Sequence, residues 1–182
     1  MPLPRFAASA LLSIAALTGA HADAADFRAL DFNASCESLP ALEAARGSTT
    51  FDERLPSGFQ FAFRGHEMNR DVVIAYACRD GRFFRGAYIF AAQDEADASA
   101  LYHALKQRVT RERGAPSYDF ASREYRQKMQ SIGATLARAD TEVAFWNNGH
   151  SEAHASVAAP SGDRGWRVSL SYTAEDAVAR KE

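Results

Sequence analysis

Residues 70–91 read RDVVIAYACRDGRFFRGAYIFA, and the fold class turns on how they are paired. Val72, Ile74, Tyr76 and Cys78 sit two apart, so their side chains share one face of a strand. Asp80-Gly81 follows, a dipeptide that accepts the positive φ of a tight hairpin turn. Arg82 to Ala91 is therefore predicted to return antiparallel, with Phe84, Tyr88 and Phe90 turned inward. Just upstream, Phe59, Phe61 and Phe63 alternate with Gln60, Ala62 and Arg64 and put three rings on one face of a preceding strand.

Working outward, Glu37 to Arg46 reads as a short helix, with Leu39, Leu42 and Ala45 at helical spacing and Gly47 as its stop. Downstream, Asp94 caps a helix reaching Arg113, with Leu101, Tyr102, Leu105 and Val109 in one stripe. A second helix is expected from about Phe120 to Ala137. The period then returns to two: Val143 and Phe145 lead to the Asn148-Gly149 turn, and Ala153, Ala155 and Val157 come back along one face. Trp166, Val168, Leu170 and Tyr172 make a last strand, and Thr173 with Asp176 suggests a cap for a terminal helix.

These elements predict an α+β fold: a two-layer arrangement in which helices pack on one face of an antiparallel sheet built from two three-stranded meanders. The order helix, three strands, helix, helix, three strands, helix also suggests duplication of an α-βββ unit. In outline the order resembles the β-lactamase inhibitory protein family, whose open sheet face docks an enzyme. The resemblance covers the order of elements, rests on no shared motif and carries no residue across.

Residues 1–24 have the parts of a secretory signal: Arg5, an apolar stretch from Phe6 to Ala20, and small residues ahead of a cut after Ala22 or Ala24. The expected mature chain is a single domain over 25–182, exported to the periplasm, with no membrane span left after cleavage. In an oxidising compartment Cys36 and Cys78 have only each other as partners. Closing that loop is expected to stabilise the fold by about 4 kcal/mol. The net charge of −2 argues against nucleic acid or anionic lipid as a partner. Ala is abundant, and the basic residues are almost all Arg, as GC-rich codons produce.

Chemistry-bearing motifs are sparse. His150, Glu152 and His154 alternate and are expected on one strand face, where Glu152 and one His could ligate a metal; the two His lie about 13 Å apart along a strand. His66-Glu67, in the loop expected between the first two strands, is a weak acid/base candidate, since neighbouring side chains diverge. No cofactor motif, nucleophile elbow or phosphate loop is present. The other signal is an outward sheet face that is not polar. Phe83, Arg85, Ala87 and Ile89, with Trp146 and Arg167, combine small side chains with the aromatic and Arg types enriched at interfaces. A loop such as Ser48 to Ser57, or the N-terminal helix, could equally cover that face. The expected function is a non-enzymatic protein-binding module, such as an inhibitor or immunity protein against an envelope toxin or hydrolase. The alternatives are a small periplasmic enzyme or metal-binding protein using His150, Glu152 and His154, and a structural or assembly factor of the envelope.

Overall fold

The computed structural model describes residues 27–53, 55–120, 140–160 and 164–175. A 3-10 turn (Cys36–Ser38) leads into α1 (Leu39–Ala45) and a short β1 (Thr49–Thr50). The first meander follows as β2 (Phe61–Glu67), β3 (Arg70–Arg79) and β4 (Arg82–Ala92). After α2 (Glu95–Arg113) come β5 (Tyr118–Phe120), β6 (Asp140–Asn147), β7 (Ser151–Ala158) and β8 (Trp166–Ala174). The strands form one antiparallel sheet of eight, in the order β1-β2-β3-β4-β8-β7-β6-β5. Both expected meanders are therefore present, and they are fused: the last strand of each pairs with the other, Tyr88 opposite Leu170. The two edge strands were not expected. Phe120 belongs to β5 rather than to a helix start, and Thr173 continues β8 rather than capping a helix. The rest of the expected 120–137 helix, the signal residues and the terminal helix beyond Glu175 lie outside the described residues. No helix among the described residues is long and apolar enough to cross a membrane.

Two register details decide which side chains share a side of the sheet. Cys78 pairs with Phe83, whereas Ala77 pairs with Arg85, so Phe84 is the extra residue of a β-bulge. The bulge inverts the expected alternation at the start of β4. Phe83, expected outward, is instead fully buried beside Phe27, Phe32 and Tyr76, and Phe84, expected inward, meets the Arg79 guanidinium at 4.7 Å. In β6, Trp146 pairs with Ala153, which pairs with Tyr172, which pairs with Gly86, and all four share the inner side. Trp146 is thus a core residue at 1% exposure, and Val143 and Phe145 take the opposite side. The physical reason is volume. Both alternations of β6 are apolar, and facing Ala153 gives the indole a small partner to fill against.

The N-terminal segment is sewn onto β4. Asn33 and Cys36 donate their backbone N–H groups to the carbonyls of Phe83 and Gly81, and Phe83 donates to Ala34. The disulfide Cys36–Cys78 fixes the same segment to β3. Phe27 anchors its other end over Gly86, with its ring centroid 4.8 Å from Tyr88 and 5.4 Å from Tyr76. A Cβ on Gly86 would lie 2.2 Å from that ring, so only glycine leaves the notch open. Meanwhile α2, capped by Asp94 Oδ1 accepting from the Asp97 N–H at 2.8 Å, packs Leu101, Leu105 and Val109 onto the sheet, chiefly β7 and β8.

Replacing Gly86 with alanine is expected to lower stability by about 1–3 kcal/mol through overpacking against Phe27. Urea unfolding measures this, and an unchanged midpoint would show that the ring is not seated there.

Candidate binding surfaces

The outer side of the first meander carries a floor of small residues that includes Ala62, Ala75 and Ala87, and it is partly roofed. The loop 51–60 lays Phe59 4.9 Å from the Arg85 guanidinium and Phe51 4.9 Å from that of Arg64. Phe59, expected to share a strand face with Phe61 and Phe63, lies outside β2 and meets the outer side instead. Ala87 is only 2% exposed, and Arg85 is half-buried with its Nε atom lacking a hydrogen-bond partner among the described residues. Of the residues expected to form a docking face, Phe83 and Trp146 are excluded by the register corrections above. Arg85, Ala87, Ile89 and Arg167 do share the outer side: Ala87 pairs with Ser171, Ile89 with Ser169, and Arg167 sits opposite Ala91.

Beyond the Phe59 roof the outer side opens into a depression of about 420 Å³. Val73, Ile89 and Ala91 form its apolar floor, and Thr49, Arg64, His66 and Asp71 its polar rim. His66 Nδ1 stands 2.9 Å from Asp71 Oδ1 at this rim, whereas Glu67 turns to the inner side and accepts from Arg108 at 2.7 Å. The adjacent pair His66-Glu67 therefore does not work on one centre.

The three residues expected to share a strand face for metal ligation are split. His150 precedes β7, in the loop closed by Asn148 Oδ1, which accepts from the His150 and Ser151 N–H groups. Its ring lies toward Phe32 on the inner side. Glu152 and His154 alternate to the outer side, where the His154 ring stacks on Phe145 at 4.3 Å with 4° between planes. Among the described residues no three His, Cys, Asp or Glu side chains converge as metal ligands. Burial, with the Arg85 charge adding to it, pushes the His154 imidazole down to about 4.

On the inner side the dominant polar feature is Glu43, a residue that no sequence pattern marks. Its carboxylate is fully buried and accepts from Arg28 Nε (3.0 Å) and Nη2 (3.2 Å), Arg46 Nη1 (2.8 Å), Ser48 Oγ (2.7 Å) and Tyr76 Oη (2.6 Å). Burial pulls the carboxyl upward, but the hydrogen bonds from Tyr76, Ser48 and Arg46 and the Arg28 charge outweigh it and hold the group below its ordinary range. Arg28 reaches this site from a two-residue turn in which Arg28 and Ala29 have φ of 50° and 54°. The cost of such left-handed residues, about 1–2 kcal/mol each, is offset by the bonds the turn permits. Beside Arg28 an open cavity of about 910 Å³ separates the N-terminal turn from the end of α2.

Compared with models of known families, with curated proteins and with solved structures, the chain matches none.

Both buried groups make the protein acid-sensitive, in separate windows. The folded state holds the His154 proton less tightly than the unfolded chain, so stability falls as pH drops from about 6.5 to about 4. Glu43 contributes above its ordinary value of 4.5, and that contribution is lost as pH falls further. The urea midpoint measured against pH is expected to show both declines, and His154→Gln should remove the upper one. A His154→Gln profile parallel to that of the parent would assign the upper decline elsewhere.

Proposed function

We propose that the protein is an exported, non-enzymatic binding module that docks a partner protein of the cell envelope on the outer side of its sheet. The observation that carries this is the depression around Ile89, whose apolar floor and charged rim reproduce the anatomy of a protein interface. The partner presents an apolar side chain to Val73 and Ile89, flanked by carboxylates that meet Arg64 and Arg167. Among the described residues α2 and the N-terminal segment pack on the inner side, and the depression on the outer side is open. Export by residues 1–24 to the periplasm supports an envelope partner, and the disulfide is compatible with that compartment. Inhibition of, or immunity to, an envelope toxin or hydrolase is the activity such a surface serves. The strand order, which reads the same from either edge, supports an origin by duplication of a helix-plus-meander unit.

The test is capture of the partner from envelope extract with purified protein, its identification, and titration of the purified pair. Ile89→Glu is expected to weaken that binding by about 30-fold or more, the loss typical of a hot spot. Arg64→Glu, at an exposed rim position where the guanidinium pairs with Glu53 at 2.6 Å, should weaken it several-fold and reduce its salt sensitivity. Full affinity in both variants would overturn the docking site.

A further inference from the structure

The cavity of about 910 Å³ lies on the opposite side of the sheet from the depression, between the turn Phe27–Leu30, the last turns of α2 and the β6–β7 loop. We propose that it binds a small organic oxyanion, a molecule bearing a carboxylate or a phosphate. Three guanidiniums line it, those of Arg28, Arg108 and Arg113. Each is fixed from behind. Arg28 is held by Glu43, and Arg108 donates from Nη1 to Glu67 (2.7 Å) and from Nε to Glu112 (3.2 Å). Arg113 donates from Nη1 to the Ser151 carbonyl (3.1 Å) and from Nη2 to the buried Ser151 Oγ (2.9 Å).

The guanidiniums also lie near aromatic rings, Arg28 and Arg108 each 6.0 Å from the centroid of Tyr88 and Arg113 5.1 Å from that of Tyr172. An arginine immobilised in this way has little rotamer freedom left to lose when a ligand binds. Donors remain after the internal bonds are counted: Arg108 Nη2 and Arg113 Nε carry no hydrogen bond among the described residues. Among the described residues Arg113 has no carboxylate partner, its bonds from Nη1 and Nη2 going to the neutral Ser151 acceptors.

The sign of the ligand follows from the acids present. Glu112 lines the cavity but is engaged by Arg108, and Asp31 is exposed at the rim. A cation entering past Asp31 would meet guanidiniums, whereas an oxyanion would meet forks of N–H donors at the geometry that carboxylates and phosphates accept in pairs. The volume admits an organic molecule rather than a bare ion. The same cavity is walled by the N-terminal segment that the Cys36–Cys78 disulfide fixes to the sheet.

Phenyl phosphate and benzoate, titrated separately into purified protein, test this. The readouts are calorimetry and the side-chain Nε–H resonances of Arg108 and Arg113. Saturable binding of at least one probe is expected, shifting the Arg113 resonance, weakening with added salt, and falling about tenfold or more in Arg113→Gln. The better of the two probes assigns phosphate or carboxylate as the group recognised. Phenethylamine, of similar size and opposite charge, should not compete. Absence of saturable binding by both anions up to about 10 mM would overturn the proposal. So would equal affinity in Arg113→Gln and in Arg113→Lys, which keeps the charge and loses the fork.

Discussion

The carboxylate of Glu43, sealed from water, accepts five hydrogen bonds from four residues: Arg28 of the N-terminal turn, Arg46 and Ser48 just past α1, and Tyr76 of β3. A buried carboxylate costs several kcal/mol to desolvate, so it persists only where every lone pair is used and a positive charge is close. Both conditions constrain everything around it. Tyr76 must point inward from the middle of β3, Ser48 must follow the stop at Gly47, and Arg28 must leave a strained turn in one direction. The N-terminal turn, α1, the approach to β1 and the central strand β3 are thereby fixed to one another through a single side chain. Removing only Glu43 would leave two guanidiniums facing a buried phenol, which is why such hubs are more costly to break than to replace whole.

That hub has a second support in the Gly86 notch. Phe27 cannot occupy the centre of the aromatic cluster unless β4 lacks a side chain there, and with Phe27 seated the chain must turn back at Arg28 and Ala29. The disulfide closes the same arrangement from the far end, at Cys36. An N-terminal segment with little regular structure of its own is therefore held by a ring, a carboxylate and a covalent bond in succession. The cavity beside α2 exists because this segment stands off the sheet between those anchors.

Much of this architecture was legible in the residues because its signals are local. Asp80-Gly81 has the left-handed backbone its composition implies, φ of 51° and 73°, and Asp94 caps α2 as a residue of its type does at a helix start. The missing parts have non-local causes. The Met68-Asn69 turn takes φ of 53° and 60° without a glycine, because the pairing of β2 with β3 dictates it. The bulge at Phe84 is invisible to a period of two, and one inserted residue was enough to move Phe83 from the expected docking face into the core. For β6 the sequence offered two apolar faces, and only the small residues opposite on β7 select Trp146 for burial. Glu43 carries no mark at all in an alanine-rich helix, since what makes it special is contributed by residues up to 33 positions away.

The arginine excess, which codon usage explains as a composition, has a structural use that lysine could not supply. Arg28 grips Glu43 with two prongs, Arg70 grips Asp97 in the same way, and Arg113 spans both acceptors of Ser151. On the outer side the guanidiniums of Arg64, Arg79 and Arg85 lie near the rings of Phe51, Phe84 and Phe59. An ammonium is a compact, strongly hydrated charge and would resist both settings, whereas a guanidinium is planar, weakly hydrated and able to bond at its edge while its face meets a ring. Both sides of the sheet use edge and face together, and on the inner side Arg28 and Arg108 lie near Tyr88 and Arg113 near Tyr172. Inside, the edges are anchored by acceptors and what remains of the donors is presented to a cavity. Outside, the guanidinium faces lie near aromatic rings beside the small-residue floor, while Arg64 also bonds Glu53 at its edge.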